Sequence, residues 1–180
     1  MTEQIKNENK LDDTLLNFAV IHKCTPNVVR LLHQKSGETI NQQQASSGHT
    51  PLMHTSLYNS PELLSVLLEL DSSPEHVRNM SQEGLTALML SSIKGHTNIV
   101  RSLLATDSDL GHICMKSSEG LTALDYARNE SNLEVIALLE KAQEKANGKS
   151  KRRRKELRVS SPIEELCNEV SRKLRQYSSE

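Results

Sequence analysis
Seven histidines and three cysteines are the residues of this sequence best suited to do chemistry, and their spacing argues against it. His22, His33, His49, His54, His76, His96 and His112 form no HxxxH or HExxH pair, the spacing that brings two imidazoles on one helix face to a single ion. Cys24, Cys114 and Cys167 lie far apart with no CxxC, which supports neither a disulfide framework nor a Cys-rich zinc site. Gly148-Lys149-Ser150 ends like a phosphate loop, but Gln143 stands where that loop needs its first glycine. In Asp107-x-Asp109-x-Gly111 the glycine comes one position early for a calcium loop. Asn129-Glu130-Ser131 spells a glycosylation triplet without a secretory signal before it. No carboxylate, histidine and serine fall at a spacing that suggests a nucleophile and its base. The reading is therefore no enzyme, no cofactor and no metal.

Charge offers a different chemistry. Residues 1–148 carry 12 Lys and Arg against 18 Asp and Glu, whereas residues 149–180 carry 10 against 5. An acidic body with a basic tail suggests two separable jobs. Lys151, Arg152, Arg153, Arg154 and Lys155 resemble a monopartite nuclear-localisation signal, which implies an importin that reads the segment extended. The same cations suit nucleic-acid phosphates, anionic lipid headgroups or a plain solvated linker, and sequence leaves these open. Beyond the run, residues 162–177 are expected to form an amphipathic helix. Ile163, Leu166, Val170 and Leu174 make its stripe, with acids at its start and cations at its end. Its Glu164-Glu165 start also resembles export signals of bacterial effectors that act inside host cells.

The chain has 180 residues, room for one domain and a tail. Leu, Val, Ile and Phe supply 44 of them, enough for a core, and with one Phe, three Tyr and no Trp that core is aliphatic. An aromatic platform for stacking bases is unlike this composition. No run approaches the length of a membrane span and nothing at the start resembles a signal peptide, so the expectation is a soluble protein of the cytoplasm or nucleus.

Sliding the chain against itself by 36 residues aligns DDTLLNFAV (12–20), GHTPLMHTS (48–56), GLTALMLSS (84–92) and GLTALDYAR (120–128). Thr14, Thr50, Thr86 and Thr122 coincide, as do Leu16, Leu52, Leu88 and Leu124, followed by the small residues Ala19, Thr55, Ser91 and Ala127. A second apolar block follows each: VVRLL, LLSVLL, IVRSLL and VIALL. All five prolines follow Ser or Thr, a hydroxyl cap with proline at the first helical position. Gly48, Gly84 and Gly120 mark turns with positive φ. Each copy thus reads as helix–turn–helix, and the Asn147-Gly148 step is expected to end the last helix.

These residues resemble the ankyrin repeat, whose pattern runs Gly-x-Thr-Pro-Leu-His-x-Ala-Ala, then Gly-His before Val-Val-x-Leu-Leu. GLTALMLSSIKGHTNIVRSLL (84–104) matches best. Asn17, Met53, Met89 and Asp125 replace the family's histidine, Asp12 replaces the first glycine, and the period is 36 rather than 33. The surplus falls between the second helix and the next glycine, where an extra turn is expected, for example after Ser73-Pro74. The resemblance implies an all-α solenoid of helix-turn-helix units joined by short hairpin-like loops. Its copies fall at 11–47, 48–83, 84–119 and 120–146, after a polar segment 1–10 and before a basic flexible linker 147–161 and the C-terminal helix. It implies a protein partner at the turn tips (Ser46, Ser47, His49; Gln82, Glu83, Leu85; Ser118, Glu119, Leu121) and late in the first helices (Leu57, Tyr58; Ile93, Lys94). Leu57, Tyr58, Leu85, Ile93 and Leu121 form an apolar cluster there, read either as an exposed interface or as filling between repeats.

Overall fold
A computed structural model describes residues 14–36 and 40–158, the last ten by their helical backbone. The chain divides into two compact units, residues 1–143 and residues 144–180.

Four threonines start the first helices of the four copies. Thr14, Thr50, Thr86 and Thr122 have extended backbones, and each hydroxyl accepts the N–H three residues on, at 3.1–3.3 Å. They open α1 (Leu15–Ile21), α3 (Pro51–Leu57), α6 (Ala87–Lys94) and α9 (Ala123–Asn129). Second helices follow: α2 (Pro26–Ser36), α4 (Pro61–Leu70), α7 (Thr97–Thr106) and α10 (Leu133–Arg158). The position filled by histidine in the resemblance takes over part of the cap. Met53 Sδ accepts the Thr50 N–H at 3.5 Å and Asp125 Oδ2 accepts that of Thr122 at 2.9 Å. A Thr86→Ala variant is expected to lose about 1 kcal/mol of stability in chemical denaturation, because the buried Met89 N–H loses its acceptor.

First helices stack in one layer, α1 on α3, α3 on α6 and α6 on α9, and second helices in another, α2 on α4 and α4 on α7. Leu16, Leu52 and Leu88 are fully buried between the layers and Leu124 nearly so, each leucine contributing about 1.5–3 kcal/mol. Thr55 and Ser91 fit in this layer because their hydroxyls donate to Leu52 O at 2.7 Å and Leu88 O at 3.0 Å. No copy could bury its apolar face alone, and stacking solves that copy by copy. Among the described residues there is no strand, and no helix is long and apolar enough to cross a membrane.

The surplus residues form the expected extra turn, twice: α5 (Pro74–Arg78) and α8 (Leu110–Ile113). Each is capped from its start, by Ser73 Oγ and by Asp109 Oδ2. Each buries a histidine whose Nδ1 hydrogen-bonds a carbonyl, His76 to Asp71 O at 2.6 Å and His112 to Asp107 O at 3.0 Å. Asp71/His76 and Asp107/His112 are themselves one period apart. Arg78 links the two connectors, its Nε donating to Asp107 Oδ2 at 2.6 Å and its Nη2 to Asp109 Oδ2 at 3.3 Å.

The last helix differs from expectation. Asn147 and Gly148 do not end it; the helical backbone continues to Arg158. Two poor helix formers are carried by Ala, Glu, Lys and Arg on both sides, each among the better ones. The basic run is therefore helical where a flexible linker was expected. Segment 1–10 and the expected helix 162–177 lie outside the described residues.

Candidate protein-binding surface
Each of the three described turn tips is closed by its own backbone. Gln44 N–H donates to His49 O at 2.8 Å, Ser81 N–H to Leu85 O at 2.9 Å and Ser117 N–H to Leu121 O at 2.9 Å. Neighbouring tips are then joined to one another: Gln82 N–H donates to Ser47 O and Ser118 N–H to Glu83 O, both at 3.1 Å. Glycine makes this approach feasible. A Cβ on Gly48 or Gly84 would lie 2.7 Å from the backbone nitrogen of Gln82 or Ser118, and both glycines have φ near +70°. The tips form a stitched row on a fixed backbone, the kind of support a binding surface needs.

On that row Ser46, Gln82, Glu83, Ser118 and Glu119 are exposed, while Ser47, His49 and Leu121 are half-buried. Ser47 is committed locally, donating to Gln44 Oε1 at 2.7 Å and accepting the His49 N–H at 3.2 Å. Leu85 corrects the expectation of an exposed apolar cluster: only 9 % exposed, it belongs to the core. The bonds between residues 81 and 85, including Leu85 N–H to Ser81 Oγ at 3.2 Å, close its hairpin and fold the side chain inward. Leu57 and Ile93 are half-buried and pack on the same core, leaving Tyr58, 43 % exposed, and Lys94 as the open positions late in the first helices. Filling between repeats is thus the role of Leu57, Leu85 and Ile93.

Two features escape a reading of spacing alone. Gln82, Glu83, Leu85, Ser118, Glu119 and Tyr126 line a notch of about 470 Å³ beside the tips. The Tyr126 hydroxyl donates to Glu119 Oε2 at 3.2 Å and pairs with Ser117 Oγ at 2.9 Å, which fixes one wall. Further along, His49, His54 and Tyr58 form a row of rings, edge-on at 5.4 Å and then stacked at 6.0 Å. His54 is buried with neither ring nitrogen hydrogen-bonded. Burial, followed by the nearby His49 charge, lowers its pKa to about 4. Burial also lowers His49, with the Glu83 carboxylate pulling the other way. The 36-residue alignment puts Tyr126 and His54 at the position of Phe18 and Leu90, but that equivalence reveals neither the notch nor the row of rings.

His96, at the step before α7, places Nε2 3.3 Å from Leu57 O, a link between copies. Among the described residues, no three His, Cys, Asp or Glu side chains are placed to hold a metal ion. Lys151, Arg152, Arg153, Arg154 and Lys155 lie on the helical backbone of α10. Compared with known families, residues 73–149 match the model for ankyrin repeats (3 copies). That span holds α5 to α9 and most of α10; the first two helix pairs lie before it. No curated protein matches the chain.

Proposed function
With residues 73–149 belonging to the ankyrin-repeat family, we propose that the chain binds a protein partner across its turn tips and the open ends of its first helices. Ankyrin repeats make it a protein–protein interaction module, and the reading is non-enzymatic. The observation that carries the proposed surface is the stitched row of tips, which holds Ser46, Gln82, Glu83, Ser118 and Glu119 exposed on rigid backbone. Glu83 and Glu119 at the rim of the Tyr126 notch favour a partner that presents basic residues, since opposite charge steers encounter and fixes register. Tyr58 supplies an aromatic contact at the edge of the same surface.

The tail is proposed to direct location. Seven cations in residues 149–158 support nuclear import, with an importin as second partner. A regulator within its own eukaryotic cell and a bacterial effector delivered to a host would use this architecture alike. A second reading takes the tail as a nucleic-acid or chromatin contact, with anionic lipid as the other polyanion, while the repeats recruit another protein. The helical backbone through the basic run favours it, because an importin reads such a segment extended.

Affinity capture from eukaryotic lysate, read by mass spectrometry, tests these readings with three full-length baits: the native chain, Glu83→Lys/Glu119→Lys, and Arg152→Ala/Arg153→Ala/Arg154→Ala. The proposed surface predicts a protein kept by the native and tail variants and reduced at least tenfold with the charge-reversed tips. Equal capture by all three would remove the tips from the interface. Capture that depends on the arginines and fades steeply with salt would make the polyanion contact the main activity.

A further inference from the structure
The step before each second helix holds one recurring position. Cys24, Ser60, His96 and Asn132 fall one period apart, and each donates its backbone N–H to the carbonyl five residues back, at 2.8–3.1 Å. From that place His96 Nε2 reaches Leu57 O, and Asn132 Nδ2 donates to Ser92 O at 2.8 Å and to Ile93 O at 3.1 Å. Each of these side chains ties its copy to the one before. Ser60 is too short to do so. It is 5 % exposed, and its buried hydroxyl makes no hydrogen bond and does not cap α4. Where the longer side chains span their junctions, this junction has an open pocket of about 300 Å³, walled by Lys23, Cys24, Ser60, Glu62 and Leu63.

We propose that the pocket is a modification site, in which Cys24 takes up a small zwitterionic thiol of the glutathione kind as a mixed disulfide. The wall supplies the reactive group, because Cys24 is a free, half-buried thiol. It also supplies hydrogen-bonding groups that no side chain of the protein uses: the Ser60 hydroxyl and the uncapped first amides of α4 at Glu62 and Leu63. The rim supplies charge of both signs. Lys23 and Glu62 are exposed, and neither enters an ion pair among the described residues. A ligand with a carboxylate and an ammonium answers both, the first at Lys23 and the amides, the second at Glu62. A simple anion would face Glu62 and a simple cation would face Lys23. The chemistry is thiol–disulfide exchange with the corresponding small disulfide. Cys24 gives up its proton, its thiolate attacks one sulfur, and a new S–S bond forms as the old one breaks. The other half leaves as a thiolate and takes up a proton. One disulfide is consumed and one is made, so no further oxidant is needed. The site is independent of the turn-tip surface, since α3 runs from Pro51, beside the tips, to Leu57, beside the pocket.

Reduced full-length protein, equilibrated with glutathione and glutathione disulfide at pH 7.5, quenched in acid and mapped by peptide mass spectrometry, tests this. Cys114, exposed and outside the pocket, is the internal reference. The exchange constant at Cys24 should exceed that at Cys114 at least about tenfold, the scale of added charge-assisted contacts. Hydroxyethyl disulfide, which carries no charge, should show no such preference. Lys23→Gln/Glu62→Gln, at two exposed residues, should keep the native circular dichroism and lose the preference for glutathione. Ser60→His, which fills the pocket as His96 fills its own junction, should lose it too. Equal exchange at Cys24 and Cys114 overturns the proposal. A preference shared by the uncharged disulfide overturns it as well, because Cys24 would then be reactive without recognition. So does a preference that survives either variant.

Discussion

Replacing His54 with leucine is expected to stabilise the protein at neutral pH and to flatten its response to acid. His54 is 4 % exposed and leaves both ring nitrogens without a hydrogen bond, at a position where the next copy carries Leu90. An unpaired buried polar group costs about 1–3 kcal/mol, and leucine has nearly the same volume, so a gain of about 2 kcal/mol follows. The acid response comes from protonation. The unfolded chain takes up protons near the ordinary histidine value of 6.5, whereas burial keeps folded His54 neutral until about pH 4. Between those values the unfolded state binds more protons, so protonation of this histidine costs the fold nothing above pH 6.5 and lowers its stability with acid by up to about 1.4 kcal/mol per pH unit. His76 and His112 act in the same direction. Burial lowers both, with Asp71 and Asp107 partly opposing it. Thermal melts from pH 7.5 to 4.5 should therefore show a shallower slope in His54→Leu, with a residual dependence from the connector histidines. A variant no more stable than the native protein at pH 7.5 would mean that the ring nitrogens are satisfied in solution.

Asp107→Ala is expected to cost about 2–3 kcal/mol, because one carboxylate serves several donors. It accepts Arg78 Nε at 2.6 Å and Nη2 at 3.1 Å, and the Asp109 N–H at 3.1 Å, and its Oδ2 lies 3.6 Å from His112 Nδ1. Burial works to raise this carboxyl; the hydrogen bonds from Arg78 and Asp109 outweigh it and hold the group below the usual carboxylate range. The side chain is 8 % exposed, so solvent replaces little of what alanine removes. Urea titration at pH 7 measures the loss, and Asp107→Asn should recover part of it. A loss below about 0.5 kcal/mol, the range of an ordinary surface substitution, would show that the link between connectors is decorative.

The repeat is legible in sequence because its signals are local and recur. Thr50 caps the helix that its Thr-Pro step marks, the structure adds the same role for the aligned Thr14, Thr86 and Thr122, and the three-residue surplus becomes α5 and α8. Side-chain direction at the tips is less legible. Whether Leu85 faces water depends on backbone bonds between residues 81 and 85, which composition does not reveal. The connector histidines are hidden differently. A search for ligands on one helix face passes over His76 and His112, although the motif Asp-Ser-x-x-x-His repeats at the full period. At Asn147-Gly148 the local turn signal is overridden by strong helix formers on either side.

The link from Arg78 to Asp107 and Asp109 also limits how such an array can grow and shrink. Arg78 finds its counter-charge because the copy after it carries the same lengthened connector. A following copy without that connector would lack Asp107 and Asp109, and the guanidinium would lose both partners. The link is made at this one junction, since Gln42 and Cys114 stand at the positions one period either side of Arg78, so these two adjoining copies would have to be exchanged together to keep it.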